Sequence, residues 1–453
     1  MFKVNEIIKA THGKLVQGKL TNELGDISTD SRNINSREVF LALKGNNFDG
    51  HSYIQEVVKL GVAGLIVENI PGCLIPKEIT VIQVKDTTLA LGDIARFQRK
   101  KINLPVIAVT GSNGKTTTKE MIAWILSAKG KVLKNEGSKN NQIGLPQTLL
   151  RLTPEDNFAV VEIGTNHFGE IDYLAKIAAV NIGVITNIGL SHIEFLKDLN
   201  GVLKEKSTLL DNLINPGLAI LCSDDKMLKR IILNKNIKKS VFTYGINEKS
   251  DFNASAIKFH NGKLEFKVNS KYHFVLSTLG HHNIYNALAA ITVGRLLGLE
   301  YSQIAQSLAN FEFPKGRFNL VNFRGLNFID DTYNSNPLSL EAALAALNTL
   351  KCVGKKVFVM GDMLELGSQK ELLHRQIARS ITSICDIFVA VGNLASLTAQ
   401  EVRGLGFKGK NIFCCVNAQD VRDLLYNKLS LSVADIILVK GSRSMKMEEV
   451  FKV

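Results

Sequence analysis

The stretch VIAVTGSNGKTT, which runs from Val106 to Thr117, decides how the rest of this chain is interpreted. Its first five residues, four of them apolar, predict a buried strand, and the glycine-containing turn before Lys115 and Thr116 predicts a phosphate-binding loop that opens a helix. Backbone N–H groups in such a loop and the helix N-terminus bind the anion. Lys115 would reach the terminal phosphates, and the Thr116 hydroxyl would bind Mg²⁺. Val109 stands where the common motif has its first glycine, so an ordinary strand-to-helix turn is the alternative.

Further apolar runs lie on the C-terminal side of this loop, at 158–163 and 182–186. Continuous apolar strands that alternate with helices predict a parallel sheet covered on both of its faces. The helix after the loop carries the only tryptophan, Trp124, which we interpret as a core residue.

Segments with their own strand and helix patterns flank this central unit. In the first segment, strands are predicted at 39–44 and 64–68, with a helix at 53–60 between them. In the last, apolar runs that end at Asp330, Met360, Val391 and Val439 predict a second doubly wound unit. We therefore predict an α/β protein with three domains, at residues 1–102, 103–313 and 314–453.

Composition excludes several classes of protein. The net charge of +13 suits nucleic acid, an anionic membrane surface or anionic small substrates, but the basic residues are scattered, so we expect no nucleic-acid partner. No apolar run reaches the roughly 18 residues of a membrane span, and we expect no integral membrane segment. The six cysteines form no CxxC pair and lie mostly in apolar runs, which favours core packing and a cytoplasmic location.

Two side chains are candidate metal ligands beside the loop. Glu162 ends the second strand of the central unit and His192 follows the third, where ligands gather in an open parallel sheet. A carboxylate suits Mg²⁺, whereas an imidazole on Mg²⁺ is unusual. Spacing alone therefore supports Glu162 and leaves a structural role open for His192.

The motifs in their order along the chain resemble the Mur ligases. The resemblance rests on Thr110–Thr117, Glu162–Gly164, Thr186–His192, Gly280–Ala287 and Gly316-Arg317. It implies an N-terminal UDP-binding domain, a central P-loop ATPase domain with a mainly parallel sheet and a C-terminal Rossmann-like domain. It also implies that ATP phosphorylates a carboxylate and that an amine attacks the acyl phosphate.

The same resemblance assigns roles to individual residues. It implies a catalytic set of Lys115, Glu162, His192, Lys206 and Arg317. It implies ATP contacts by Gly111, Ser112, Asn113, Gly114, Lys115, Thr116, Thr117, His282, Asn283, Asn286, Arg317 and Asp331. It implies two Mg²⁺ ions held by Thr116, Glu162, His192 and a carbamylated Lys206, for which Lys204 is the rival position. It implies substrate contacts by Ser31, Arg32, Lys44, Gly45, Asn140, Asn141, Asn334, Asp362 and Arg443.

The segments on either side of the central unit indicate which members of the family the chain resembles. Residues 30–51 resemble the UDP-binding domain of the two late ligases, and 360–367 and 439–448 resemble the members that add D-alanyl-D-alanine. The Asp-Asn-Pro-Arg signature of the third-residue ligases does not occur in the chain. The expected partners are therefore a UDP-muramoyl tripeptide and D-alanyl-D-alanine, bound by a monomer. The alternatives are the preceding ligase, which adds the third amino acid, and a P-loop nucleotide switch.

Overall fold

A computed structural model of the chain describes residues 2–45, 48–234, 239–260 and 262–452. Three large sheets follow one another along the sequence, and helices pack against them. The sheets contain five, nine and six strands, and the parallel pairs predominate in each. The α/β class predicted from the apolar runs is confirmed.

The first sheet is parallel in strand order β7-β6-β5-β4, and β2 joins β7 in antiparallel orientation. The strands of this sheet are β2 (Lys14–Gln17), β4 (Ile27–Ser28), β5 (Val39–Leu41), β6 (Gly64–Val67) and β7 (Thr80–Gln83). Two further strands, β1 (Phe2–Lys3) and β3 (Glu23–Leu24), pair with each other in a separate antiparallel sheet. The helices are α1 (Val4–Thr11), α2 (Ile54–Lys59) and α3 (Thr87–Lys101). Strand β5 is shorter than predicted because the N–H of Leu43 turns back to the carbonyl of Leu41.

The second sheet has the strand order β16-β15-β14-β13-β12-β11-β8-β10-β9, and only its β14–β16 end is antiparallel. Its strands are β8 (Val106–Thr110), β9 (Val132–Lys134), β10 (Phe158–Glu162), β11 (Ile182–Ile185), β12 (Leu218–Cys222), β13 (Ser240–Gly245), β14 (Phe252–His260), β15 (Lys263–Val268) and β16 (Tyr272–Leu276). Its helices are α4 (Lys115–Leu126), α5 (Gly144–Leu150), α6 (Glu170–Ala178), α7 (Ile193–Leu196), α8 (Leu199–Asp211), α9 (Lys226–Ile232), α10 (Asn283–Leu296) and α11 (Tyr301–Ala309).

The third sheet has the order β17-β18-β22-β19-β20-β21, in which β17 and β18 form an antiparallel hairpin and the other pairs are parallel. Its strands are β17 (Asn319–Phe323), β18 (Leu326–Asp331), β19 (Lys356–Gly361), β20 (Ile387–Val391), β21 (Ile412–Cys415) and β22 (Ile436–Lys440). Its helices are α12 (Pro337–Thr349), α13 (Lys370–Gln376), α14 (Ala378–Ile384), α15 (Asn393–Gly404) and α16 (Ala418–Asp423).

Two predictions about the core were wrong. Trp124 is 45% exposed at the surface of α4, where its indole N–H donates to the carbonyl of Ser307 at 2.7 Å. The indole N–H needs a partner, and a half-exposed site between two helices supplies one. Of the cysteines, Cys222 and Cys385 are buried, Cys73, Cys352 and Cys415 are half-buried, and Cys414 is exposed on the edge strand β21.

Among the described residues, no helix is both long enough and apolar enough to cross a bilayer.

Candidate active site

A cavity of about 1070 Å³ lies between the second and third sheets. Its floor is formed by the segments that follow β8, β10 and β11, three adjacent strands whose carboxyl ends meet at this edge. Its roof comes from the third domain and includes Arg317, which precedes β17, together with Asp331 and Lys440, which end β18 and β22. Because both domains supply polar side chains to one space, a ligand here would contact both at once.

The loop between β8 and α4 is held by its own lysine and by the segment after β11. The Lys115 ammonium donates to the carbonyls of Gly111 at 2.9 Å and Ser112 at 3.2 Å. The hydroxyl of Ser112 donates to the carbonyl of Gly189 and accepts its N–H. Gly114 has φ 80°, and a Cβ there would run into the side chain of Asn286. Burial lowers the pKa of Lys115, against the opposing charge of Glu162 and with the like charge of Arg317.

Glu162 is a buried carboxylate, 2% exposed, whose two oxygens accept from neutral groups. Oε2 accepts from the hydroxyl of Thr116 and Oε1 from the amide of Asn140, both at 2.7 Å. A buried charge requires compensation, and a metal ion is one way to supply it. The Glu162 carboxylate and the Thr116 hydroxyl therefore lie beside the loop as oxygen atoms that could hold a cation.

The backbone of Glu162 is fixed by Asn135, which the sequence reasoning missed. Asn135 accepts the N–H of Glu162 at 2.9 Å and donates to its carbonyl at 3.0 Å. Lys119 is fully buried one turn after Lys115, and its ammonium donates to the carbonyls of Asn135 and Gly137. The chain from α4 through 135–140 to β10 therefore sets the position of the carboxylate. The sequence signal was slight: a lysine inside an otherwise apolar helix face.

Two consecutive asparagines at the end of this segment allow a matched test. Asn140→Ala removes a donor to Glu162, so the apparent Mg²⁺ affinity is expected to fall about 10- to 100-fold with little change in melting temperature. Asn141 instead accepts the N–H groups of Ile143 and Gly144 just before α5. Asn141→Ala is expected to cost about 1 kcal/mol of stability through its lost hydrogen bonds, and to leave the apparent Mg²⁺ affinity unchanged whatever its effect on turnover. Titration of activity with Mg²⁺, together with thermal unfolding, checks both; the reverse pattern would contradict this assignment.

His192 lies at the start of α7 and faces a carboxylate from the other domain. Its Nδ1 is 2.7 Å from Oε2 of Glu365, a residue that the sequence reasoning did not single out. Glu365 belongs to the segment 360–367, whose role the sequence left unspecified beyond Asp362. His192 therefore sits at the domain interface and within the lining of the cavity.

Lys206 is 1% exposed in α8, whereas the rival Lys204 lies on the exposed face of the same helix. Burial and the neighbouring charge of Lys115 lower the pKa of Lys206 to about 7, against an opposing influence of Glu205 and Glu162. Lys206 is thus a buried amine whose surroundings favour its neutral form. Of the two lysines, it is the one near the charged centre.

The side chains expected to bind the nucleotide converge on the cavity. Asn286 donates to Asn283 at 2.9 Å and accepts from the hydroxyl of Thr118 at 3.1 Å. Burial, with Lys440 and His281, lowers the pKa of His282 to about 4, so its ring is neutral. Among the described residues, Nδ1 of His282 has no hydrogen-bond partner, which leaves it free for a ligand.

The third domain closes the site with Arg317 and an ion pair. Arg317 donates to the hydroxyl of Thr116 at 3.1 Å, and its guanidinium lies 3.6 Å from the ring centre of Tyr333. Asp331 and Lys440 end the neighbouring strands β18 and β22, and their side chains are 2.6 Å apart. Lys440 and Tyr333 were missed, since only the parallel pairing of two distant strands brings Lys440 beside Asp331.

The residues expected to bind the other substrates are spread more widely. Asn140, Asn334 and Arg443 line the cavity. Asp362 is buried outside this lining and accepts the N–H of Ala395 at 2.7 Å near the start of α15. Of the described residues, none before Ser112 lines the cavity. The substrate-binding residues expected in the first domain therefore lie outside this cavity; they are Ser31, Arg32, Lys44 and Gly45.

The donor set can be compared with what Mg²⁺ requires. Among the described residues, no three His, Cys, Asp or Glu side chains form a cluster. Mg²⁺ is usually held by one or two carboxylates together with phosphates and water, which Glu162 and the Thr116 hydroxyl would satisfy. A second ion would need His192 and an anionic form of Lys206. The residues present fit one ion directly and a second after modification of the lysine.

Comparison with known proteins yields matches over nearly the whole chain. Residues 24–99 match "Mur ligase family, catalytic domain", 109–294 match "Mur ligase middle domain" and 316–443 match "Mur ligase, glutamate ligase domain". The UDP-N-acetylmuramoyl-tripeptide--D-alanyl-D-alanine ligase of Bacillus subtilis is 33% identical over 449 residues, covering 97% of this chain and 96% of the relative. Its counterpart in Escherichia coli is 34% identical, covering 99% and 97%.

Solved structures agree with these matches. A crystal structure of MurF from Acinetobacter baumannii superposes with a TM-score of 0.90 at 33% identity, over 99% of this chain and 97% of that one. The MurF ligase of Thermotoga maritima, solved in complex with ADP, gives a TM-score of 0.83 at 26% identity, over 94% and 96%.

Proposed function

This chain belongs to the Mur ligase family, and from that premise we propose that it adds D-alanyl-D-alanine to UDP-N-acetylmuramoyl-tripeptide in an ATP-dependent reaction. The proposal is carried by one observation. A glycine-containing loop with Lys115, a buried carboxylate and an arginine from the third domain meet in one cavity of a chain that matches such ligases over nearly its whole length. A nucleotide switch would need only the first of these.

We propose that the reaction proceeds in two steps. The terminal carboxylate of the tripeptide attacks the γ-phosphorus of ATP, so that an O–P bond forms and ADP leaves. The amine of the dipeptide then attacks the carbonyl carbon, loses its proton and expels phosphate. Phosphorylation is required because a free carboxylate is a poor electrophile.

Residues of the chain would stabilise the charge that develops in these steps and position the reacting groups. Lys115 and Arg317 approach the loop from opposite domains and would stabilise negative charge on the transferred phosphoryl group. The third domain covers the cavity, and its position over the loop would exclude water from the acyl phosphate. The neutral ring of His282 and the amides of Asn283 and Asn286 would bind the base or ribose.

We propose that Thr116 and Glu162 hold one Mg²⁺, and that Glu162, His192 and a carbamylated Lys206 hold another. Bound Mg²⁺ would neutralise phosphate charge and polarise the γ-phosphoryl group. A lysine reacts with CO₂ only as the neutral amine, and the burial of Lys206 favours that form. The carbamate would then replace a cation by an anion with two hard oxygens.

The remaining assignments follow the same family pattern. We propose domain boundaries near residues 102 and 313, with the uridine diphosphate held in the first domain by Ser31, Arg32, Lys44 and Gly45. Asn140, Asn141, Asn334, Asp362 and Arg443 are proposed to position the peptide and the dipeptide, Asp362 through the fold around it. The protein is proposed to act as a monomer in the cytoplasm, where ATP and UDP-linked substrates occur, without a nucleic-acid partner.

Release of ADP is expected only when ATP, Mg²⁺, a UDP-muramoyl tripeptide and D-alanyl-D-alanine are all present. A coupled assay that omits each component in turn checks this, with tripeptides ending in lysine and in diaminopimelate. Faster turnover with a UDP-muramoyl dipeptide and a single amino acid would instead assign the chain to the preceding step. ADP release without any acceptor would favour the nucleotide switch.

A further inference from the structure

Glu365 belongs to the third domain, yet it contacts the central domain through side chain and backbone. Its carboxylate lies 2.7 Å from Nδ1 of His192, and its carbonyl accepts the N–H of Glu194 at 3.4 Å. Gly367 is equally close, because a Cβ at that position would lie 3.2 Å from the Cα of Glu194. The two segments therefore meet over several residues.

Both partners in this contact adopt backbone conformations that side chains disfavour. His192 has φ 54° and Glu365 has φ 60°, in the left-handed region. For residues other than glycine such conformations cost on the order of 1 kcal/mol each, and they persist where the surroundings impose them. Strain on both sides of one contact indicates that the fold is held so that these two side chains face each other.

The chemistry of the pair suits a metal-binding histidine. A histidine that ligates a metal usually donates its other ring N–H to a carboxylate, which fixes both the tautomer and the ring orientation. Nδ1 of His192 is 2.7 Å from the Glu365 carboxylate without the alignment of a hydrogen bond. A small rotation of the ring would let Nδ1–H donate to that carboxylate and leave the lone pair of Nε2 for an ion. Glu365 is therefore placed where such a partner is needed, but it comes from the opposite domain.

We propose that Glu365 is a positioning residue that orients His192 for a divalent cation, so that this site is complete only when the third domain lies against the central one. The inference rests on the metal role proposed above for His192. Ion binding and domain closure are then thermodynamically coupled: closure raises the affinity for the ion, and the ion favours closure to the same extent. ATP would then contact the charged groups of both domains and the bound ion only when the two domains are closed.

Binding of Mn²⁺ to the full-length chain, with a non-hydrolysable ATP analogue present, tests this without turnover. Free Mn²⁺ would be followed by electron paramagnetic resonance for the native chain, Glu365→Ala, Glu365→Gln, His192→Ala and Glu365→Ala combined with His192→Ala. The native chain should bind two ions. Glu365→Ala should weaken one of them about 10- to 100-fold, Glu365→Gln should weaken it less, and neither should affect the other ion.

The variant that combines Glu365→Ala with His192→Ala shows whether Glu365 acts on the ion through His192 or by another route. If Glu365 acts through His192, adding Glu365→Ala to His192→Ala should change Mn²⁺ affinity by less than about twofold. The matched control is Glu371→Gln, an exposed glutamate on α13 of the same domain, which should bind both ions normally. The proposal is overturned by a single ion in the native chain, by equal losses in both His192 backgrounds, or by the same loss in the control. Failure of the ligase assignment would show separately, as ADP release that ignores the dipeptide.

Discussion

Replacing Lys115 with alanine is expected to lower kcat by about 10³-fold. Removal of one preorganised group that stabilises charge in the transition state lowers kcat by about 10²- to 10³-fold, and the upper value is expected here because Lys115 carries a full charge. The ammonium lies against the carbonyls of Gly111 and Ser112 at the point where phosphates would bind. ADP release at saturating substrates measures the loss.

The fold should survive this substitution. Lys115 is the first residue of α4, and alanine is the best helix former. Lys176→Ala, in an exposed pair with Asp172 on α6, is the control and should leave activity and melting temperature unchanged. A Lys115→Ala protein that keeps more than about a tenth of its activity, or that unfolds, would contradict the role in charge stabilisation.

Replacing Lys206 with alanine is expected to lower activity more than about 100-fold at ordinary Mg²⁺ concentrations, beyond the 10- to 100-fold typical of groups that only support a ligand. Arginine should fail equally, since the guanidinium keeps its charge and forms no carbamate. Lys206→Met provides a variant of similar size without charge, which should fold and remain inactive. Steady-state ADP release and thermal unfolding measure both effects.

Chemical rescue distinguishes a carbamate from other roles of Lys206. A small carboxylate at high concentration should partly restore Lys206→Ala by placing anionic oxygens in the vacated space. It should not restore Lys206→Arg, whose side chain fills that space. Full activity in Lys206→Ala would refute the carbamate, and a loss confined to Lys204→Ala would move the role to the exposed lysine.

The parts of the fold that were predictable from sequence are those with one consistent local signal. Strand β8 comprises Val106–Thr110, the predicted residues, and every one of them is buried. Trp124 was misjudged, because its exposure depends on the neighbouring helix α11, which supplies Ser307 as a partner. Periodicity along one helix does not report which other element lies beside it.

In the candidate site, too, residues with a local sequence signal were predicted and residues placed by distant contacts were not. The loop and Glu162 follow from strand ends in a parallel sheet, which is a local rule. Asn135, Glu365 and Lys440 could not be found that way, because each acts on a residue far away in the sequence. Their positions are set by the packing of one domain on another and by the pairing of distant strands.

The most direct measurement follows the oxygen atoms of the tripeptide carboxylate. With ¹⁸O in that carboxylate, ATP and D-alanyl-D-alanine, an acyl-phosphate ligase transfers one labelled oxygen to each phosphate released, and ADP is the nucleotide product. Mass spectrometry of the phosphate should therefore show one ¹⁸O per molecule, together with the dipeptide-extended UDP-muramoyl product. Unlabelled phosphate, or AMP and pyrophosphate as products, would contradict the proposed reaction.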